Sequence, residues 1–262
     1  MAFAAVNGAR IHYREAGSGE AVVLLHALPL HSGMWQGQLD ALGQRWRVIA
    51  PDFRGFGQTG DVPPVTRIGL LAEDVIGLLD ALGIRRAVFG GVSMGNYVSF
   101  EIWRRWPDRV RALALCDTRA NVDSPEVAAN REKTAQSALA KGIGWVADES
   151  GPGLMRPAPD PEVARTVRQL ILENSAEGVA AMHRGLAERP DSTDTLPRIT
   201  CPTLVVVGEE DRISPVPVAE QMAKTIPGAR LVRIPAAGHV SNLENREAFD
   251  RALIGFLEGL PA

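Results

Sequence analysis

Cysteine is nearly absent: the 262-residue chain carries only Cys116 and Cys201, in no C-x-x-C spacing and beside no histidine pattern that would build a zinc site. Both are expected to be buried, unpaired thiols that pack as small hydrophobes. Neither sign of charge dominates. Lys plus Arg number 28 against 31 Asp plus Glu, a formal net charge of -3, so no basic surface for nucleic acid is indicated. No apolar run approaches the roughly 20 residues that span a bilayer. Residues Met1 to Val6 run straight into Asn7-Gly8 without the apolar core or cationic flank of a secretion signal, and the expectation is a cytoplasmic protein without membrane partners. Gly90, Gly91 and Gly95 lack G-x-G-x-x-G spacing and no lysine follows, so no nucleotide loop is read there. Neither cofactor nor metal is expected, and repeats are absent. Homo-oligomerisation is left open.

What is present is an alternation of strand and helix patterns. Asn7-Gly8 separates two short alternating runs, Phe3 to Val6 and Ile11 to Ala16, and reads as a hairpin. A continuous apolar run at Ala21 to His26 reads as a strand covered on both faces, and Arg47 to Pro51, Ala87 to Gly90 and Val110 to Cys116 read as further strands. Helical spacing appears at Met34 to Gln44, Ile68 to Leu82 and Asn96 to Trp106. Such alternation argues an α/β fold with a mainly parallel sheet. After Asp117 it stops. Residues 118–198 carry helix signals only, including Ser124-Pro125-Glu126 as a capped start and Ser175 as a cap. Strands resume at Thr203 to Val207 and Ala229 to Ile234. The simplest organisation is an α/β core at 1–117 and 199–262, with an all-helical cap at 118–198 over the C-terminal edge of the sheet.

Gly91-Val92-Ser93-Met94-Gly95 matches G-x-S-x-G between a strand and a helix, where a serine hydroxyl is lifted above the sheet by a tight turn. A serine is a weak nucleophile near neutral pH and needs a base, which in turn needs an orienting acid. His239 follows the strand ending at Ile234 and is the base candidate. Asp211 follows the strand ending at Val207 and is the favoured acid, with Asp117, just after Val110 to Cys116, as the competing position. An oxyanion would need two backbone N–H donors. Those nominated are Met94, next to the serine, and Leu28 in the loop His26-Ala27-Leu28-Pro29-Leu30.

With these parts assembled, the chain resembles the α/β-hydrolase superfamily over nearly its whole length. The matching residues are the His26 loop, Asp52-Phe53-Arg54-Gly55-Phe56-Gly57-Gln58-Thr59, Gly91 to Gly95, Gly208 to Asp211 and Ala237-Gly238-His239. Within it the chain is similar to small bacterial esterases grouped with 3-oxoadipate enol-lactonases, through Val92 to Gly95 and Gly238-His239-Val240-Ser241-Asn242-Leu243-Glu244. The resemblance implies an eight-stranded, mostly parallel sheet and a serine hydrolase of small esters or lactones. Two residues depart from the common pattern: Ala27, where many relatives have glycine, and Asn96, where a small residue is usual.

The remaining candidates are weighed against plain packing roles. His26 is expected to hydrogen-bond within the oxyanion loop, His12 to sit on a strand surface, and His31 to face either pocket or solvent. Trp35, Trp145, Met155, Met182 and His183 are candidates for an apolar pocket under the cap. Arg131, Arg156 and Arg184 are read mainly as solvated cap charges. Two alternatives share the same parts: a carbon–carbon bond hydrolase of ring-cleavage products and a ligand receptor that retains the triad.

Overall fold

A computed structural model describes residues 2–261. Asn7 and Gly8 both adopt positive φ (47° and 76°), as a two-residue turn between right-twisted strands requires, and join β1 (Ala2–Val6) to β2 (Ala9–Ala16). The remaining strands are β3 (Ala21–Leu25), β4 (Arg47–Pro51), β5 (Ala87–Val92), β6 (Val110–Cys116), β7 (Thr203–Gly208) and β8 (Arg230–Ile234). Together they form one eight-stranded sheet in the order β1-β2-β4-β3-β5-β6-β7-β8. The pairs β1–β2 and β2–β4 are antiparallel and all others are parallel. Every residue of β3, β5 and β7 is buried, which is why these strands read as unbroken apolar runs rather than alternating ones.

Helices α1 (Gln36–Leu42), α2 (Ile68–Ala81) and α3 (Met94–Arg105) follow β3, β4 and β5. The insertion after β6 contains α4 (Pro125–Lys141), α5 (Ile143–Ser150), α6 (Pro161–Leu172) and α7 (Ala176–Ala187), with no strand among them. The chain then closes with α8 (Val216–Thr225), the short α9 (Ser241–Glu244) and α10 (Arg246–Glu258). Ser124, Asp160 and Ser175 each accept a backbone N–H at the start of α4, α6 and α7.

One helix expectation needs revision and one helix was not foreseen. The pattern from Met34 to Gln44 divides into a 3-10 turn at Ser32–Trp35 and α1, because Asp52 accepts the Ser32 amide and His31 accepts that of Gly33, tightening the first turn. Helix α5 gave no clear signal: it is only eight residues long, and no side chain caps it.

The insertion meets the core backbone to backbone. A Cβ on Gly185 of α7 would stand 1.7 Å from the Thr66 carbonyl oxygen, and one on Gly178 would stand 2.0 Å from that of Gly55. Glycine at these positions lets α7 lie directly on the loop that follows β4, an approach any side chain would block.

Candidate active site

Ser93 occupies the turn between β5 and α3 with φ 54° and ψ -115°, a conformation an L-residue holds only when its surroundings impose it. Those surroundings are close. A Cβ on Gly95 would fall 2.2 Å from the Leu25 carbonyl oxygen, so glycine alone lets α3 start directly over β3. The Ser93 amide donates to Cys116 O at 3.1 Å. Asn96, one of the two departures, has a local reason: its Nδ2 donates to Gly91 O (2.6 Å) and Cys116 O (3.1 Å), lacing the turn to the ends of β5 and β6.

His239 lies in the loop between β8 and α9 at the same edge of the sheet, buried to 2 % exposure. Its Nδ1–H donates to Asp211 Oδ2 at 2.8 Å, which leaves the Nε2 lone pair available to take a proton. Asp211 Oδ1 accepts the amides of Ile213 (2.8 Å) and Ser214 (2.9 Å). Burial opposes ionisation of Asp211, but the bonds from His239 and these amides outweigh it and hold the carboxyl below its usual range.

Asp117 is engaged elsewhere. Its Oδ1 accepts the Gly208 amide (2.8 Å) and its Oδ2 accepts the Ser241 hydroxyl (2.5 Å), so it braces the ends of β6 and β7 against α9. Burial, and then the nearby Asp211 charge, push the Asp117 carboxyl well above the ordinary carboxylate range. Of the two acids, the one on the imidazole of His239 is Asp211.

The loop after β3 is held by His26. The Phe53 amide donates to its Nε2 at 3.0 Å, so the proton is on Nδ1, which donates to Ala27 O at 3.0 Å. Burial lowers His26 to about 4, and the ring is neutral at pH 7. The Leu30 amide also donates to Ala27 O (2.8 Å), and Leu28–Pro29 is cis. Beneath lies Asp52, which accepts the amides of Ser32 and Gln58 and the Nδ1–H of His12 at 2.6 Å. The expectation of His12 on a strand surface is therefore corrected. Loop 52–59 folds across that face of β2 and leaves His12 1 % exposed. His31 is also buried, and its Nε2–H donates to Glu173 on the insertion at 2.9 Å.

The pocket candidates scatter. Trp35 is 1 % exposed against Phe249 of α10, with ring centroids 6.1 Å apart, a contact of the core. Met155 lies beside the His239 loop: a Cβ on Gly238 would meet its carbonyl carbon at 2.7 Å. Met182 is fully buried in α7, and Trp145 is half-buried under the Lys141 ammonium. His183 is lowered to about 4, by burial first and then by Arg131. Arg131 pairs with the buried side chain of Asp123 and so departs from the expectation of a solvated cation, whereas Arg184 meets Glu132 at 3.0 Å in a pair that stays open to solvent.

Two residues at the site escaped the sequence reading. Glu244 accepts the Gly238 amide (2.6 Å) and the Arg156 amide (2.9 Å), joining the His239 loop to the insertion; only its place in the motif running from Gly238 hinted at a role. Asn174, between α6 and α7, donates to Pro29 O and accepts from the Gly57 amide, both at 2.7 Å. No local pattern marks it. The insertion thus rests on the loops that follow β3, β4 and β8. Among the described residues no cluster of His, Cys, Asp or Glu could hold a metal ion, and no helix is long and apolar enough to cross a membrane.

A family model described as alpha/beta hydrolase fold matches residues 20–246. A thermophilic esterase from Thermogutta terrifontis, solved with malate bound, shares 41% identity at a TM-score of 0.96, covering 100% of this chain and 99% of the other. The enol-lactonase from Burkholderia xenovorans shares 33% at a TM-score of 0.90, covering 98% and 100%. By sequence, 3-oxoadipate enol-lactonase 2 of Acinetobacter baylyi is 29% identical over 238 residues, 89% of this chain and 86% of that protein.

Proposed function

The chain belongs to the α/β-hydrolase family, and from that premise we propose that it is a serine hydrolase cleaving small carboxylic esters or lactones through an acyl-enzyme on Ser93. The observation that carries this reading is the His239–Asp211 pair at 2.8 Å, set at the same sheet edge as the strained turn of Ser93. Asp211 holds the imidazole with Nδ1 protonated, so Nε2 takes the Ser93 proton as Oγ attacks the carbonyl carbon. The carbonyl π pair moves onto oxygen, and the amides of Leu28 and Met94 receive that charge. Collapse expels the alkoxide, which takes the proton from His239. Water, deprotonated in turn by His239, attacks the acyl carbon; the bond to Ser93 Oγ then breaks, the serine oxygen takes the proton back from His239, and the acid is released. A lactone follows the same steps, with its alkoxide tethered to the acyl group.

His26 serves the oxyanion hole without touching the substrate. The Ala27–Leu28 peptide is trans, so its N–H runs opposite to its C=O. Anchoring Ala27 O on His26 Nδ1 and the Leu30 amide therefore fixes where the Leu28 N–H points. Ala27 at the position where many relatives carry glycine needs no unusual backbone for this. Residues 118–198 act as a cap over the site, and Met155, Arg156, Glu173 and Asn174 are among its contacts with the loops at that edge. Specificity belongs to this cap, since the reacting groups themselves are common to many substrates.

The test is hydrolysis of short-chain p-nitrophenyl esters. Ser93→Ala should reduce turnover to background; retained activity in a pure preparation overturns the proposal.

A further inference from the structure

The second oxyanion donor depends on how the Ser93–Met94 peptide is oriented. That peptide is trans, so the direction of the Met94 N–H is set by whatever holds the Ser93 carbonyl on the opposite side. Two donors hold it. The Asn96 amide reaches Ser93 O at 3.0 Å within the first turn of α3, and the Thr118 hydroxyl reaches it at 3.0 Å from another element. The first bond tilts with α3. The second refers the peptide to the sheet, because Thr118 follows Asp117, whose amide donates to Val206 O and whose side chain is bonded to Gly208 and Ser241. Thr118 is 3 % exposed, so water does not compete strongly for its hydroxyl.

We propose that Thr118 is a positioning residue for the hydrolysis: by donating to the carbonyl of the nucleophile itself, its hydroxyl aims the Met94 amide at the developing oxyanion. The inference rests on the acyl-enzyme reading above. Ser93 occupies a left-handed backbone conformation that a serine leaves readily unless restrained, so a donor on its carbonyl restrains both the nucleophile and the amide after it. The effect should appear in the transition state, where the oxygen carries charge, and hardly in the binding of neutral ester.

The test compares Thr118→Val, which keeps the shape and removes the hydroxyl, with Thr118→Ser, which keeps the hydroxyl. For p-nitrophenyl butyrate, kcat/KM should fall about tenfold in Thr118→Val, less than the loss from deleting an oxyanion donor outright. A butyl trifluoromethyl ketone bonds covalently to the serine Oγ and places an oxyanion in the hole. Its Ki should rise by the same factor, while the KM for the neutral ester, which places no charged oxygen in the hole, should be unchanged. Thr118→Ser should restore both values to within about twofold of wild type. Thr118→Val acting like wild type, a Ki that does not follow kcat/KM, or failure of the serine variant to restore activity each overturns the proposal. Wild-type protein that neither hydrolyses the ester nor binds the ketone, or a fully active Ser93→Ala, instead overturns the hydrolase reading beneath it.

Discussion

Asp211 Oδ2 stands 2.8 Å from His239 Nδ1, while the other oxygen of the same carboxylate accepts two amides from its own loop. The acid is thereby fixed in rotation before it orients the imidazole. Asp117, equally buried, spends both oxygens on Gly208 and Ser241. Two carboxylates at neighbouring strand ends thus have different tasks, divided by their partners.

The first prediction follows from that division. Asp211→Asn should lower kcat for a p-nitrophenyl ester by about 10³–10⁴, because an amide favours the wrong imidazole tautomer. Asp117→Ala should cost about tenfold or less in kcat and show its main effect in urea unfolding, since it removes both acceptors of a buried brace. Equal losses in the two variants would contradict the assignment.

Glu244→Gln leaves one carboxamide oxygen where two carboxylate oxygens now accept the Gly238 and Arg156 amides. One buried amide then loses its acceptor, at about 1–3 kcal/mol. Because Gly238 precedes His239 directly, kcat/KM should fall about five- to tenfold. Steady-state kinetics beside urea melts would show whether activity falls further than stability does.

A pair of glycines separates steric need from helix propensity. Gly185→Ala would drive a methyl group into the Thr66 carbonyl and should cost about 2–3 kcal/mol by forcing α7 off the core. Gly255→Ala, on the exposed side of α10 with nothing within 4 Å of the new Cβ, should gain about 0.5–1 kcal/mol. Thermal unfolding of both variants measures the contrast.

Acid should weaken the fold partly through His26. Its value falls from 6.5 in the unfolded chain to about 4 in the fold, so between these pH values the unfolded chain holds a proton that the native ring does not. Its contribution is therefore fully present above pH 6.5 and is lost as pH falls toward 4, on the order of 3 kcal/mol. Urea unfolding at pH 7 and pH 5 should show the decline. A His26→Asn variant should be less stable at pH 7 and lose less between the two.

Much of this was legible in the chain itself. The runs at Ala21 to His26, Ala87 to Gly90 and Thr203 to Val207 read as strands, and Asn7-Gly8 between two alternating runs read as a tight turn. Ser93, Asp211 and His239 could be proposed as a triad because each lies just past a strand, and the ends of parallel strands share one edge. Short-range pattern sufficed wherever the physics was short-range.

Only the tertiary structure decided the rest, because it depends on contacts far apart in sequence. His12 looked like a surface residue until loop 52–59 closed over it and brought Asp52 to its ring. Asp211 was favoured over Asp117 by its place in the chain alone, and only distance set one against His239 and the other against Ser241. Asn174, Glu244 and Thr118 bear on the site through backbone amides and carbonyls, and no side-chain pattern encodes where a distant carbonyl will lie. The chain carried the groups proposed to react in its local patterns; the packing of the insertion on the sheet edge determined how those groups are held.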